Sequence, residues 1–476
     1  MCAGGWGPYP DWRWNVALGG FWMKLCAFAV AIALLAADTG KASGPAPKGE
    51  NSSIRYPVIP SPLHPAAPLP DSSPPQGTSA LTLAQLEALA LEHNPTLTQA
   101  SARIAAARGK LVQAGLYPNP VAGYQGEEMG IAGTAGFQGG FVGQELVTAG
   151  KLRFDRAVAV QELRQAEHQY QAQQQRVLND VRAGYYEVLT AQRAVELTEQ
   201  LVRIGDEGLR AAEQLFDAKE VSRVDVLEAR IEADSTRLKL QNARNRALAA
   251  WRRLAAVLGR PDAQTAPVAG NLEEDVPRFV WDDVLQRLLG ESPEVAEARA
   301  GVERARCVLA RQCAQRIPNV SVQTGVQHDN ESGDNIAKVE VALPLPIFNR
   351  NQGNIARADA ELIAAQNEVR RVELVLRDRL AAAFQRYADA REQVETYNQK
   401  ILPNAKTSLD LVRRAYQQGE IGYIGLLTSQ RTYFSAQLSY LEALRQLQTS
   451  RVAIEGLLLS GGLRQEAASL GAAADQ

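Results

Sequence analysis

The chain has 476 residues and a formal net charge of −2, because 51 lysine and arginine residues are balanced by 53 aspartate and glutamate residues. This balance excludes a protein that binds nucleic acid through a basic surface. Four cysteines are too few for a disulfide-rich scaffold, and four histidines offer few ligands for a histidine-based metal centre. No catalytic constellation recurs at a recognisable spacing, so we predict no enzyme activity, no metal site and no bound cofactor.

The amino terminus has the pattern of an export signal. An apolar run of 13 residues, Leu25 to Ala37, follows Lys24 and is itself followed by small residues. We predict a signal peptide over residues 1–37, with Met23 as an alternative start. An uncleaved membrane anchor is the competing interpretation. Residues 38–79 are predicted to be a Pro-rich disordered linker, because Gly44 to Pro75 holds ten of the 23 prolines and could not bury a core.

The remainder of the chain matches itself at a spacing of about 200 residues. Pro118-Asn119 corresponds to Pro318-Asn319, and Glu220-Val221-Ser222 corresponds to Glu420-Ile421-Gly422. A spacing this constant indicates a duplicated unit. We predict a first repeat over 80–260, a spacer over 261–277, a second repeat over 278–463 and a flexible tail over 464–476.

Long helices are predicted in each repeat. No proline lies between Pro120 and Pro261, and residues 151–217 are predicted to form one helix about 100 Å long. An apolar ladder and a neighbouring ladder of small residues recur every seven positions, as in helices that supercoil closely. The apolar ladder consists of Val181, Val188, Val195, Val202, Leu209 and Phe216, and the small-residue ladder of Gly184, Ala191, Thr198, Gly205 and Ala212.

Alternating segments between the helices predict β-hairpins. In the second repeat, Val320 to Val326 and Ile336 to Leu343 alternate apolar and polar residues around a polar turn from His328 to Asn335. The first repeat has a weaker equivalent at Val121 to Met129 and Phe137 to Leu146. Four such strands could not sit in lipid as an open sheet, because the amides at its edges would have no partner. Several copies of the chain are therefore expected to pool their strands.

These features resemble the TolC-type outer-membrane efflux proteins. The resemblance covers about Leu81 to Leu463 and is carried by four motifs: Pro118-Asn119-Pro120, Gln144-Glu145-Leu146 running into Gly150-Lys151, the stretch from Leu343 to Gly353, and Tyr416-Gln417-Gln418-Gly419-Glu420 leading to Leu426-Leu427. The stretch from Leu343 to Gly353 looks most like the CzcC branch, which serves cobalt, zinc and cadmium efflux pumps. The family implies a mainly α fold with a membrane β-barrel: a homotrimer in which duplicated helix–β-hairpin–long helix–helix units build a 12-stranded barrel in the outer membrane and a long α-helical barrel in the periplasm.

The resemblance also implies where function resides. The two helix-hairpin tips of the family meet a periplasmic adaptor (membrane fusion protein), and here they correspond to Lys219, Glu220, Val221, Ser222, Gly419, Glu420, Ile421 and Gly422. A plain solvated turn is the competing interpretation. Family members often carry an acidic gate after the second tip, where this chain has Gly425 and Thr428. Asp225 and Glu228 of the first repeat are therefore the candidate periplasmic gate. The competing interpretation is that these carboxylates only form ion pairs with Arg223 or Arg230 on the same helix.

The function expected from the resemblance is a passive exit duct of a tripartite heavy-metal cation efflux system. Its expected partners are two further copies of the chain, outer-membrane lipid, the periplasmic adaptor and an inner-membrane pump of the RND type. Two alternatives stay open. One is a TolC-like duct for drugs or for type I protein secretion, and the other is a non-channel helical coiled-coil adaptor protein.

Overall fold

The computed structural model describes residues 80–463 apart from Thr134, Asp275 and Gly419. The predicted signal peptide, Pro-rich linker and flexible tail lie outside the described residues, as does the tip residue Gly419.

The described chain is mainly helical with one small sheet. Its helices are α1 (Leu83–His93), α2 (Pro95–Ala114), α3 (Lys151–Asp217), α4 (Arg223–Val257), α5 (Trp281–Glu291), α6 (Pro293–Ala314), α7 (Gln352–Thr396), α8 (Leu402–Gln417) and α9 (Tyr423–Glu455). Its strands are β1 (Val121–Glu127), β2 (Phe137–Leu146), β3 (Val320–Asp329) and β4 (Asn335–Ala342). The residues divide into two compact units, a sheet unit of segments 119–145 and 321–342 and a helical unit of the remainder.

The helical unit is organised around α3, which has 67 residues, as predicted for 151–217. This helix packs against α1, α2, α4, α6 and α9. The largest apolar core lies around the middle of α3, where Val177 and Val181 are fully buried and pack in one cluster with Trp251 and Leu254 of α4. Because proline is absent from the whole segment, no missing N–H interrupts the helix.

The start of α3 is fixed by two of the sequence motifs. Gly150 precedes it with a positive φ of 65°, a conformation that suits glycine. The buried Lys151 donates from Nζ to Oδ1 of Asn319 over 2.5 Å, and the same oxygen accepts from the backbone N–H of Thr148 over 3.3 Å. Thr148 Oγ1 also donates to the carbonyl of Pro318. The Pro318-Asn319 and Gly150-Lys151 motifs therefore form one junction in the helical unit.

The two seven-residue ladders of α3 differ in burial towards the end of the helix. Thr198, Gly205 and Ala212 of the small-residue ladder are buried. A β-carbon on Gly205 would lie 3.0 Å from Thr236 Oγ1 of α4, so the small residue sets the approach of the two helices. The apolar ladder is buried at Val181 and Val188 but is half-buried at Val195, Val202 and Leu209 and exposed at Phe216. Within one chain, the small-residue ladder is thus the seam between α3 and α4.

Ion pairs at a seven-residue spacing join the same two helices. Arg230 binds Glu213 at 3.0 Å, Arg237 binds Asp206 at 2.7 Å, and Arg244 binds Glu199 at 2.9 Å. The arginines and their carboxylates both recur every seven residues, in opposite directions along antiparallel helices. This arrangement is the flanking charge pattern of a coiled coil, and we refer to the three pairs as the α3–α4 ion-pair ladder.

The second long helix of the chain is interrupted, unlike α3. A turn of π-helix, Tyr397–Ile401, separates α7 from α8, and Pro403 is the second residue of α8. The backbone stays right-handed helical through Ile401 and Leu402, so the missing N–H of Pro403 leaves one carbonyl of the preceding turn without its helical partner, at the place where the π-turn lies. Leu380, Tyr387, Val394 and Ile401 form a seven-residue apolar ladder in the second repeat, and this ladder is buried at Leu380 and Tyr387 but exposed at Ile401.

The four strands form one antiparallel sheet in the order β1-β2-β3-β4, so β1 and β4 are its edges. The predicted strand positions are confirmed to within a few residues, with β3 and β4 each reaching further towards a shorter turn over 330–334. The register pairs Val322 with Val341 and Gln323 with Glu340, so apolar and polar partners lie on opposite faces.

Glycines allow close contact between β2 and β3. A β-carbon on Gly139 would lie 2.0 Å from the carbonyl oxygen of Val326, a clash with backbone that cannot relax.

Among the residues that the structure describes, no helix is both long and apolar enough to cross a membrane.

Candidate functional site at the hairpin tips

The first tip, Lys219 to Ser222, reverses the chain between α3 and α4. The N–H of Lys219 donates to the carbonyl of Phe216, and the N–H of Glu220 donates to that of Leu215, both over 2.9 Å. These two bonds define a Schellman motif, in which the residue after the helix cap has a left-handed backbone. That residue is usually glycine, yet here it is Lys219 with a φ of 63°. Lys219, Glu220 and Ser222 are exposed, and Val221 is half-buried.

The second tip lies between α8 and α9, and its described residues are Glu420, Ile421 and Gly422. The N–H of Glu420 donates to the carbonyl of Ala415 over 2.9 Å, which is the equivalent of the Glu220 bond in the first tip. Glu420, Ile421 and Gly422 are exposed. Apart from the half-buried Val221, the described residues of both tips are exposed.

The helices that follow the two tips begin differently. Ser222 caps α4 in a capping box, because its Oγ accepts from the N–H of Asp225 while its own N–H donates to the Asp225 carboxylate over 2.9 Å. The hydroxyl of Ser222 also donates to that carboxylate over 2.7 Å. These hydrogen bonds from Ser222 hold the pKa of Asp225 below its ordinary value. Gly422 starts α9 without a side-chain cap.

Asp225 and Glu228 lie three residues apart on α4, and each is half-buried. Arg230, one of the two arginines considered as partners of the candidate gate residues, binds Glu213 of α3 at 3.0 Å. Glu228 lies close enough to Arg431 and Tyr423 of α9 to raise the pKa of both side chains, after the larger effects of Glu232 on Arg431 and of burial on Tyr423.

A buried charge on α4 connects the first hairpin to α9. Glu232 is 3 % exposed, and its Oε2 accepts from Nε of Arg431 over 2.9 Å and also from Nη2 of that residue. The carboxylate of Glu232 raises the pKa of the Arg431 guanidinium, since the pair stabilises the charged form. Tyr423 lies nearby, with its ring 6.2 Å from that of Tyr416. We refer to Glu232, Arg431, Tyr423 and Tyr416 as the tip cluster.

The tip cluster is not evident from the amino-acid sequence, although one signal is present. Glu232 falls among Ala229, Ala233 and Thr236, which are all buried, so a carboxylate occupies a core position of an otherwise small and apolar repeat. Buried carboxylates are rare unless a partner is close. The position of that partner on α9 could not be read from spacing, because 199 residues separate the two side chains.

The chain thus combines a long antiparallel helical hairpin that ends in a compact tip with an amphipathic four-stranded sheet. A family model described as outer membrane efflux protein matches residues 86–260 and 284–458, and the chain belongs to that family. The sequence-based resemblance is thereby confirmed, together with an outer-membrane location, and the chain stands among efflux channels rather than enzymes.

Two proteins of known sequence illustrate the relationship. The cobalt-zinc-cadmium resistance protein CzcC of Cupriavidus metallidurans is 29 % identical over 389 residues, which cover 81 % of this chain and 91 % of CzcC. The cation efflux system protein CusC of Escherichia coli O157:H7 is 24 % identical over 312 residues, which cover 61 % of this chain and 64 % of CusC. Among solved structures, the outer membrane protein VceC of Vibrio cholerae has a TM-score of 0.67 at 19 % identity, covering 79 % of this chain and 96 % of VceC.

Proposed function

We propose that three copies of this chain form the passive outer-membrane exit duct of a tripartite heavy-metal cation efflux system. The observation that carries the proposal is a sheet that is amphipathic and, within the described residues, open at both edges. The exposed apolar side chains on one of its faces are Tyr124, Val142, Val326, Val339 and Val341.

Open edges and an apolar face require further copies of the chain. In lipid, each unpaired N–H or C=O of β1 and β4 would cost several kcal/mol. Four strands are too few to close a barrel, whereas three chains would supply twelve. The apolar face would then contact lipid and the polar face would line the duct.

The helical unit also presents seams for neighbouring chains. Val224, Ile231 and Leu238 of α4 recur every seven residues and are 62 %, 65 % and 64 % exposed. In the apolar ladder of α3, Val195, Val202 and Leu209 are half-buried and Phe216 is exposed. Exposed apolar residues at heptad spacing favour packing against another helix, which supports a periplasmic α-helical barrel. The two stretches matched by the family model support a duplicated unit, with repeats over 80–260 and 278–463.

The tips are proposed to dock the periplasmic adaptor. The inner-membrane pump of the RND type would supply the energy for transport, and the duct itself would be passive. Exposure of Glu220, Ile421 and Gly422 on compact turns supports this assignment. Asp225 and Glu228 are proposed as the periplasmic gate, where three chains would place six carboxylates. Since Asp225 is bound to Ser222, Glu228 would carry the more mobile of the two charges.

Heavy-metal cations are proposed as the cargo because CzcC is named for cobalt, zinc and cadmium resistance and CusC for cation efflux. Deleting the gene should sensitise cells to zinc, cobalt or cadmium more than to lipophilic drugs, and the plasmid-borne gene should restore growth. Parallel growth-inhibition assays measure both. Sensitivity to drugs alone would reject metal cargo while leaving the duct in place.

A further inference from the structure

We propose that the part of the helical unit that adjoins the strands along the chain carries a basic and apolar surface, and that this surface binds anionic phospholipid of the membrane. The surface meets a bilayer only if the strands cross one, so the proposal rests on the proposed function. It contains none of the tip residues or candidate gate residues.

Four segments of the helical unit adjoin the strands: 110–118, 146–156, 311–319 and 343–353. Besides the junction described for the start of α3, two further contacts hold these segments together. Arg311 of α6 binds Asp155 of α3 at 2.7 Å, and Asn351 donates from Nδ2 to the backbone carbonyl of Gln312 over 2.9 Å. The remaining segment belongs to α2, which packs against α3. All four segments therefore lie at one end of the helical unit.

The charge of these four segments is strongly one-sided. They contain seven lysines and arginines but only one acidic residue, Asp155, which is bound to Arg311. Within the part of the chain that the structure describes, four of the arginines are exposed and form no ion pair: Arg153, Arg156, Arg316 and Arg350. We refer to these four residues as the basic collar. Its positive charge is available to a ligand, because no carboxylate of the described chain offsets it.

Exposed apolar side chains occur in the same segments. Phe348 is 90 % exposed and Leu345 is 71 % exposed, and Ile317 and Ile347 are also exposed. We refer to these four residues as the apolar rim. Two prolines within residues 343–348 restrict the backbone there, and the N–H of Ile347 donates to the carbonyl of Leu345 over 2.9 Å. The apolar rim is therefore presented by a constrained segment and not by a freely rotating loop.

A bilayer surface fits both properties. Every residue of the basic collar and the apolar rim lies within ten residues, along the chain, of a strand end. If the strands cross the membrane, these residues lie close to its surface. Guanidinium groups bind phosphate, clustered basic residues attract anionic lipids, and apolar side chains enter the boundary between headgroups and acyl chains.

A second copy of the chain fits the surface less well than lipid does. Placing the same end of two chains together would oppose arginine to arginine, and like charges in contact are unfavourable. The excess of positive charge selects an anionic ligand, and the apolar rim selects one with a hydrocarbon part. Anionic phospholipid combines the two.

The test adds a tryptophan reporter to the full chain, which is purified and reconstituted into vesicles that contain brominated phosphatidylglycerol or brominated phosphatidylcholine. Bromine quenches tryptophan fluorescence at short range, and the wild type supplies the background of the native tryptophans. Phe348→Trp reports on the apolar rim, Val339→Trp on the exposed apolar face of β4, and Leu411→Trp on an exposed position of α8. Phosphatidylglycerol should quench Phe348→Trp about twofold more than phosphatidylcholine. Val339→Trp should be quenched equally by both lipids, and Leu411→Trp by neither.

Charge variants in the Phe348→Trp background test the basic collar. Arg316→Gln together with Arg350→Gln should make the two lipids quench equally. Arg413→Gln together with Arg414→Gln removes the same two charges from exposed positions of α8 and is the matched control, which should keep the preference. The preference should also shrink as sodium chloride is raised, because salt screens charges at a surface.

The outcomes separate the lipid surface from the duct. Absence of quenching in Val339→Trp would reject the proposed function, because the strands would not lie in lipid. Quenching of Val339→Trp without quenching of Phe348→Trp would overturn the lipid surface alone and would mean that another protein chain covers it. Equal quenching of Phe348→Trp by both lipids would also overturn it. So would a preference that inorganic phosphate removes at an ionic strength where sodium chloride does not, since the arginines would then bind free phosphate.

Discussion

At the scale of single residues, Lys219 has the least favourable backbone conformation of the first tip. Its φ of 63° is left-handed, and a side chain in that region costs about 1–2 kcal/mol. The two Schellman bonds of Lys219 and Glu220 hold the residue there. The sequence has glycine at the corresponding position of the second tip. The first tip therefore keeps its shape against a strain that glycine would relieve.

Lys219→Gly should stabilise the first tip by about 1 kcal/mol, because glycine adopts a positive φ without steric cost. The expected result is slower amide hydrogen exchange in a peptide that covers residues 213–224. Lys219→Ala is the control, since it removes the same charge but keeps the β-carbon. Equal protection in the alanine and glycine variants would mean that charge, and not backbone strain, limits the tip.

Arg431→Met should destabilise the contact between the first hairpin and α9, because it leaves the buried carboxylate of Glu232 without its cation. The expected loss is about 2 kcal/mol, less than for a fully buried pair since the Arg431 side chain is 51 % exposed. Hydrogen exchange over the first turns of α9 should quicken. Glu232→Gln combined with Arg431→Met removes both charges and should recover part of the protection. If the single variant exchanges like the wild type, the pair does not hold the two elements together.

At the scale of elements, the two hairpins are built differently. The first hairpin has the α3–α4 ion-pair ladder and a capping box at the start of α4. The second long helix contains a π-helical turn before α8, and α9 starts at Gly422 without a side-chain cap. A π-turn inside a helix is a local weakness that often marks a functional position. The first hairpin is therefore expected to be the stiffer of the two.

Arg237→Glu should weaken the first hairpin by about 1 kcal/mol, because it places a carboxylate opposite Asp206 and beside Asp234 in the middle of the ladder. Faster exchange is expected in both helices between the substitution and the tip. Exchanging the charges, with Asp206→Arg added to Arg237→Glu, should restore protection. Failure of the exchanged pair to rescue would show that the substitution acts through something other than the ladder.

Much of the element structure could be predicted from the sequence. The absence of proline predicts the length of α3, and strict alternation predicts the strands, because both signals are local. The tip cluster could not be predicted, since the contact of Glu232 with Arg431 depends on how α4 and α9 pack. The conformation of Lys219 was obscured for a different reason: glycine at the corresponding position 419 points to a positive φ, but lysine rarely adopts one.

At the scale of the whole molecule, one chain leaves complementary surfaces unpartnered. The sheet has two open edges, and α4 exposes an apolar stripe at heptad spacing. Both features are costly in isolation, the first in lipid and the second in water. They are explained together if the chain is one third of a closed assembly.

The protein purified in detergent should accordingly have the mass of three chains. Replacing Ile231 by aspartate should disrupt the assembly, because the 65 % exposed side chain lies in the middle of the apolar stripe. Gln241→Asp adds the same single negative charge at an exposed position of α4 outside the apolar stripe and serves as the control for added acid. A stable wild-type monomer with its full strand content would reject the trimer.

The ion-pair ladder also limits how homologues of this chain could change in length over evolution. Its three ion pairs join residues whose numbers rise along α4 as those of their partners fall along α3. An insertion in one helix alone would therefore move the arginines on one side of it away from their carboxylates. A viable insertion would have to add seven residues to each helix at matching heights, which extends the hairpin by about 10 Å. The corresponding helices α8 and α9 would need the same addition to keep the two tips level. The reach of the hairpins should therefore differ between lineages in whole heptads, gained or lost four at a time.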